Sequence, residues 1–392
     1  MKVVVESSRI IKPAHNADHI RPPLTTTQHI PLSVFDKVTF DTHVAVIYAF
    51  RPPTPPNSVI EEGLAKVLAE YGEYAGRFGE DSEGNRVILL SDEGVRFVEA
   101  SVDTTLSNAM PFKPSPSLLD FHPSADGVEE LLLVQLTRFA CGSLVLGFSL
   151  HHVISDGHAT SNFLVSWGRA SRGLSISPLP LHDRTSLFVP RQPPQLEFEH
   201  RGVEFKSKKS RDSNTENPLK NEVVIHKAHF TKEFLPSSRP WHPWERPAIY
   251  YVPVLGGSFM EGRDEGARPQ RLRDHPRTNC CGRTQADDPA VPMAAEEEGL
   301  MPTADADEMV LCPNLEVDSW TRIPFYDLDF GGGSPYYFVP SYLPVEGLLI
   351  LLPSFIGDGS IDAFVPLFHH NLDSFKLCCY SMTSPSFLHT YV

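Results

Sequence analysis

His151-His152-Val153-Ile154-Ser155-Asp156-Gly157 follows directly on an apolar run, and its reading decides how the rest of the chain is understood. The residues before it, Leu131 to Arg138 and Ser143 to His151, are two runs rich in Leu, Val, Thr and Phe around Ala140-Cys141-Gly142, the pattern of a β-hairpin. Beyond Gly157 the period changes, and Ala159, Phe163, Leu164, Trp167 and Ala170 recur at helical spacing. His152 is therefore expected at a strand end and Asp156 at a helix start. Free backbone donors and the helix dipole favour an aspartate there, so capping alone would account for Asp156. A lone histidine is ordinarily a satisfied surface or core residue. Flanked by His151, Asp156 and Gly157 on a strand-to-helix turn, His152 becomes the candidate general base for acyl transfer.

Two other readings of the same residue types carry less weight. His151, His152, Asp156 and His158 are all potential metal ligands, but no HExxH or paired CxxC accompanies them, and no metal is expected. His369 and Asp373 repeat the His152–Asp156 separation, with His370 as a second adjacent histidine, yet Ser374 stands where the glycine would be. That stretch reads as the polar start of a C-terminal helix carrying Phe375, Leu377 and Cys378.

Outward from the hairpin, Pro31 to Phe50 contains a strand-like alternation ending in VAVIYAF, followed by the rigid Arg51-Pro52-Pro53-Thr54-Pro55-Pro56. Ser58 and Glu61 have capping-box spacing, and Val59, Ile60, Leu64, Val67, Leu68 and Tyr71 form one helical face. A turn at Asp81 to Asn85 leads into a strand from Val87 to Leu90. Strands alternating with helices define an α/β class. The chain divides into an N-terminal domain over 1–194, a polar linker over 195–221 and a C-terminal domain over 222–392. In the last, Glu222 to Phe230, Tyr337 to Phe338, Leu348 to Leu352 and Ile361 to Phe368 read as strands.

The 392 residues, 41% hydrophobic, suffice for more than one core, and a net charge of -15 argues against a nucleic-acid surface or an anionic membrane as partner. The same charge suits a cationic substrate. Six cysteines, two adjacent pairs among them, show no metal spacing and read as reduced thiols. No apolar stretch is long enough to span a bilayer, the N-terminus does not read as a secretory signal, and a cytoplasmic monomer is expected. One interval stands apart. Residues 235–298 carry six arginines between Arg263 and Arg283, no lysine there, and neither strand nor helix period. Their composition reads as disorder or as out-of-frame translation, and the interspersed acids argue against an Arg-rich nucleic-acid segment.

HHVISDG resembles the HxxxDG motif of the plant BAHD acyl-CoA-dependent acyltransferases, and Asp329-Phe330-Gly331-Gly332-Gly333 looks like their DFGWG motif. PLSVFDKVTFDTHVAVIYAFRPPTPP and RFACGSLVLGFSLHHVISDGHATSNFLVSWGRA are similar to the branch that acylates agmatine, putrescine or tryptamine with hydroxycinnamoyl groups. HHxxxDG also occurs in chloramphenicol-type acetyltransferases and peptide-synthetase condensation domains; the DFG-type second motif favours the plant family. A kinase reading of DFG fails for want of an HRD loop and a Gly-rich phosphate loop.

The resemblance implies two chloramphenicol-acetyltransferase-like α/β domains joined by a crossover, with a channel for CoA and acceptor between them. It implies hydroxycinnamoyl transfer to an amine, with acyl-CoA as co-substrate and no permanently bound cofactor. His152, Asp156 and Asp329 carry over as the catalytic set, with His152 as base, Asp156 as an organiser paired to an arginine of the second domain, and Asp329 fixing its loop. Ser33, Asp36, Gly157, Ser319, Trp320 and Gly331 carry over as substrate-binding positions. Gly332 departs from the family tryptophan, and residues 235–298 depart from the family where part of the second domain and the arginine partner belong. A catalytically impaired remnant or misread gene product is therefore one alternative, and an ester-forming transferase with an alcohol acceptor is another.

Overall fold

The computed structural model describes residues 1–15, 28–37, 39–182, 187, 205–207, 222–235, 300–302 and 316–380. The strands in chain order are β1 (Val4–Ile11), β2 (His29–Pro31), β3 (His43–Phe50), β4 (Arg77–Glu80), β5 (Arg86–Leu89), β6 (Val95–Val102), β7 (Leu132–Phe139), β8 (Leu144–His151), β9 (Phe205–Ser207), β10 (Val223–Phe230), β11 (Leu300–Pro302), β12 (Glu316–Ser319), β13 (Tyr337–Pro340), β14 (Leu348–Pro353) and β15 (Ile361–Phe368). The helices are α1 (Val34–Lys37), α2 (Asn57–Glu70), α3 (Leu106–Ala109), α4 (Gly157–Ser171) and α5 (Leu372–Cys378).

The expected hairpin is β7–β8, and Gly142 at φ 80° supplies its left-handed turn position. Every residue of β8 is buried, because it lies inside a six-stranded sheet of order β1-β6-β7-β8-β3-β13. Only β6–β7 is a parallel pair there. α2 and α4 pack against each other, and the Trp167 indole N–H donates to the Ile60 carbonyl at 2.8 Å. Phe163, Leu164 and Trp167 are fully buried on the face of α4 that their spacing predicts, each contributing roughly 1.5–3 kcal/mol by burial. A second sheet, β10-β15-β14-β12, carries its own apolar cluster around Ala228, Leu351, Ala363 and Leu367.

Three expectations need correction. Ser58 and Glu61 form no capping box: Pro56 is the N-cap of α2, and Glu61 instead accepts two hydrogen bonds from the Arg9 guanidinium, at 2.5 and 3.1 Å. The Pro31–Phe50 alternation is interrupted by α1. Most consequentially, β13 belongs by sequence to the second half but pairs antiparallel with β3 in the first sheet, which ties the two halves together. The 195–221 linker lies outside the described residues apart from β9, which pairs with β11. The 235–298 stretch lies outside them beyond Leu235. Among the described residues no helix is long and apolar enough to cross a membrane, and no group of His, Cys, Asp or Glu is arranged to hold a metal.

Candidate active site

β8 ends at His151, and His152 opens one turn of 3-10 helix, His152–Ile154, before α4 begins. Two residues preceding β3 hold this turn in place. The His152 backbone N–H donates to the Thr42 carbonyl at 2.9 Å, and the His152 Nδ1 lies 2.8 Å from the Thr39 hydroxyl. The Phe40 ring meets the imidazole edge-on at 6.0 Å between centroids. Beneath the turn, Tyr74 donates its hydroxyl to Ser155 at 2.8 Å.

Burial lowers the His152 pKa below the ordinary imidazole value, while its own backbone and the carboxylates Asp318 and Asp156 pull the other way. The ring is therefore predominantly neutral near pH 7, the form a base requires. Its neighbour His151 is held neutral more strongly, at about 4, by burial and by His43. His151 packs edge-on against Phe78 at 4.7 Å and His43 at 5.0 Å.

Asp156 is the N-cap of α4, its carboxylate accepting the Ala159 N–H at 2.7 Å. Among the described residues no arginine pairs with it. At Gly157 a Cβ would come within 2.6 Å of Ile323 Cδ1, the far end of a flexible side chain in the segment after β12. Ser33 and Asp36 hold each other across α1. The Asp36 carboxylate accepts the Ser33 N–H at 2.7 Å, and the Ser33 hydroxyl accepts the Asp36 N–H at 3.3 Å. α1 itself packs against the His152 turn, so this reciprocal cap buttresses the site.

Asp329 and Gly331 are at the other end of α4. The Asp329 carboxylate accepts the N–H groups of Gly331 and Gly333 at 2.7 and 2.9 Å, and Arg172 at 3.0 Å. Its backbone packs on Gly168. With 15 residues, α4 places this loop roughly 20 Å from the turn carrying His152. Asp329 thus fixes its loop, as the sequence implies, and Gly331 serves that loop through its N–H and its φ of 109°; neither adjoins the imidazole. A Cβ on Gly332 would stand 2.0 Å from the Pro53 carbonyl oxygen, so the backbone here closes over the space a tryptophan would need.

β12 brings the residues that sequence reasoning only half found. Trp320 donates its indole N–H to Asp318 at 2.7 Å and lies tilted against Phe325 and Phe338, and the Ser319 hydroxyl bonds Thr321 at 3.0 Å. Asp318, which the sequence did not single out, is the second-half acid whose charge acts on His152. Burial raises its pKa, and the two groups perturb each other's titration. Glu316, two positions earlier on the same face of the strand, is raised for the same reason and by Asp318. Both acids retain exposed area.

The matched family accords with this geometry. The chain matches the model of the Transferase family over residues 1–233 and 294–382, and it belongs to that family, the BAHD acyltransferases. It is 48% identical to "Agmatine hydroxycinnamoyltransferase 1" of Oryza sativa subsp. japonica, the match covering 97% of this chain and 99% of that one. It is 46% identical to "Agmatine coumaroyltransferase-1" of Hordeum vulgare, over 97% and 100% respectively. Its fold is that of vinorine synthase, with a TM-score of 0.66 at 21% identity over 95% of this chain and 96% of that one. The rice alignment runs to 447 positions, more than this 392-residue chain contains, so the relative has positions with no counterpart here.

Proposed function

We propose that this protein transfers a hydroxycinnamoyl group from its CoA thioester to the primary amine of agmatine. The acceptor nitrogen attacks the thioester carbonyl carbon as His152 removes its proton; the new C–N bond forms and the C–S bond breaks. The imidazolium then gives that proton to the departing thiolate, leaving the amide and free CoA. General base catalysis of this kind is worth about 10²–10⁴-fold.

The observation that supports the reading is His152 itself, its pKa lowered by burial, its Nδ1 2.8 Å from the Thr39 hydroxyl and its titration perturbed by Asp318. The guanidinium of agmatine brings a positive charge for Asp318 and Glu316, which no described cation pairs, while its amino nitrogen in the neutral form is the nucleophile; an uncharged alcohol brings no such charge. The agmatine relatives support the same acceptor class. The ester-forming and remnant readings have no such support. The test is product analysis by mass spectrometry after incubating the purified chain with coumaroyl-CoA and, separately, agmatine, putrescine, tryptamine and shikimate. Agmatine amide is expected as the main product; an ester with shikimate as the main product would overturn the proposal.

A further inference from the structure

We infer that Thr39 is a positioning residue that sets the tautomer of His152, and that the segment 39–42 exists in this geometry to hold it there. The inference rests on the reading of His152 as base. A threonine hydroxyl 2.8 Å from Nδ1 has two mutually exclusive roles. If it donates, Nδ1 is the acceptor, the ring proton sits on Nε2, and no lone pair remains for the substrate. If it accepts, Nδ1 carries the proton and Nε2 presents its lone pair. Only the second arrangement makes a base of the nitrogen that Thr39 does not cover, and the interaction of the ring with its own backbone, which favours a protonated ring, acts beside Thr39.

The rest of the segment holds Thr39 at that distance. Thr42 takes the His152 backbone N–H, so the histidine and the segment are registered to one another through main chain. Between them, the Asp41 carboxylate accepts both of its hydrogen bonds from Arg86 Nη1, each at 2.8 Å, and lies 3.4 Å from His151 Nε2. The Arg86 guanidinium in turn sits 3.8 Å from the centroid of the Phe78 ring. Asp41 and Arg86 are solvent-accessible, so their pair contributes little energy by itself; its value is geometric, fixing the residue midway between the two that grip His152. Phe40, edge-on to the imidazole, blocks rotation toward its side. Nothing in the sequence marks Thr39: it lies in a run with no clean period, and its role exists only once β3 and β8 pair.

Thr39→Val keeps the shape and removes the hydroxyl, and Thr39→Ser keeps the hydroxyl and removes the methyl. With hydroxycinnamoyl-CoA and agmatine, the valine variant is expected to lose roughly tenfold or more in kcat with the KM for the thioester unchanged, and serine to recover to within about threefold. The second readout needs no turnover. In full-length protein carrying 15N-labelled histidine, with the His152 resonances assigned by their absence from His152→Ala, the wild type and the serine variant should show protonated Nδ1 and bare Nε2. The valine variant should show a mixture of tautomers. If all three proteins, confirmed folded by thermal melting, give the same His152 tautomer, or if the wild type carries its proton on Nε2, the inference is overturned. If the tautomers behave as stated but no amine is acylated by any variant, it is the proposed function that fails and the role of Thr39 as a tautomer-setting contact that stands.

Discussion

The two ends of α4 carry the two sequence motifs of this chain, and they do different work. At the N-terminal end, Thr39 bonds the half-buried imidazole of His152, whose titration Asp318 and Asp156 perturb. At the C-terminal end, Asp329 gathers two backbone N–H groups and Arg172 into a set of hydrogen bonds that fixes its loop. On the proposed function the first motif holds the chemistry, and the second holds a loop against α4. The lesson is that equal prominence in sequence does not mean equal proximity to the reaction, because a helix of this length separates the two by far more than any hydrogen bond reaches.

That comparison is open to direct attack. His152→Ala should lower kcat by about 10²–10⁴-fold while leaving the melting temperature nearly unchanged, measured by steady-state CoA release and by thermal denaturation. Asp318→Asn should raise the KM for agmatine roughly 10–100-fold with little change in the KM for the acyl-CoA, the scale of a lost charge-assisted contact. At the opposite end, Asp329→Ala should cost about 1–3 kcal/mol of stability, since two N–H groups and a guanidinium lose their acceptor; denaturant titration reads this. Asp156→Ala, losing one helix cap, should cost about 1 kcal/mol by the same titration.

Much of the first end was legible in the sequence because its determinants are local. The β7–β8 hairpin, the change of period after Gly157 and the Asp156 cap each follow from residues within one turn or one strand. The polar start of α5 after His369 and His370 was legible for the same reason. Asp318 and Thr39 were not: one sits in a four-residue strand whose alternation looks ordinary, the other between elements, and both acquire meaning through pairing across the chain. β13 was recognised as a strand but not as a member of the first sheet, since a short, wholly buried run carries no signal of its partner. The resemblance makes Ser33, Asp36 and Gly157 substrate-binding positions; the structure adds that Ser33 and Asp36 cap α1 reciprocally and that Gly157 lies close to Ile323. The Ser58–Glu61 spacing misled because Arg9, distant in sequence, claims the glutamate.

The central claim, that the imidazole at 152 performs the proton transfer while the second motif only supports it, is tested most directly by single-turnover CoA release. His152→Ala and Asp329→Ala, each confirmed folded, would be compared with the wild type on hydroxycinnamoyl-CoA and agmatine. The rate should fall by about 10²–10⁴-fold in the first and stay within roughly tenfold in the second. Equal losses in the two variants, or an undiminished rate in His152→Ala, would contradict the account.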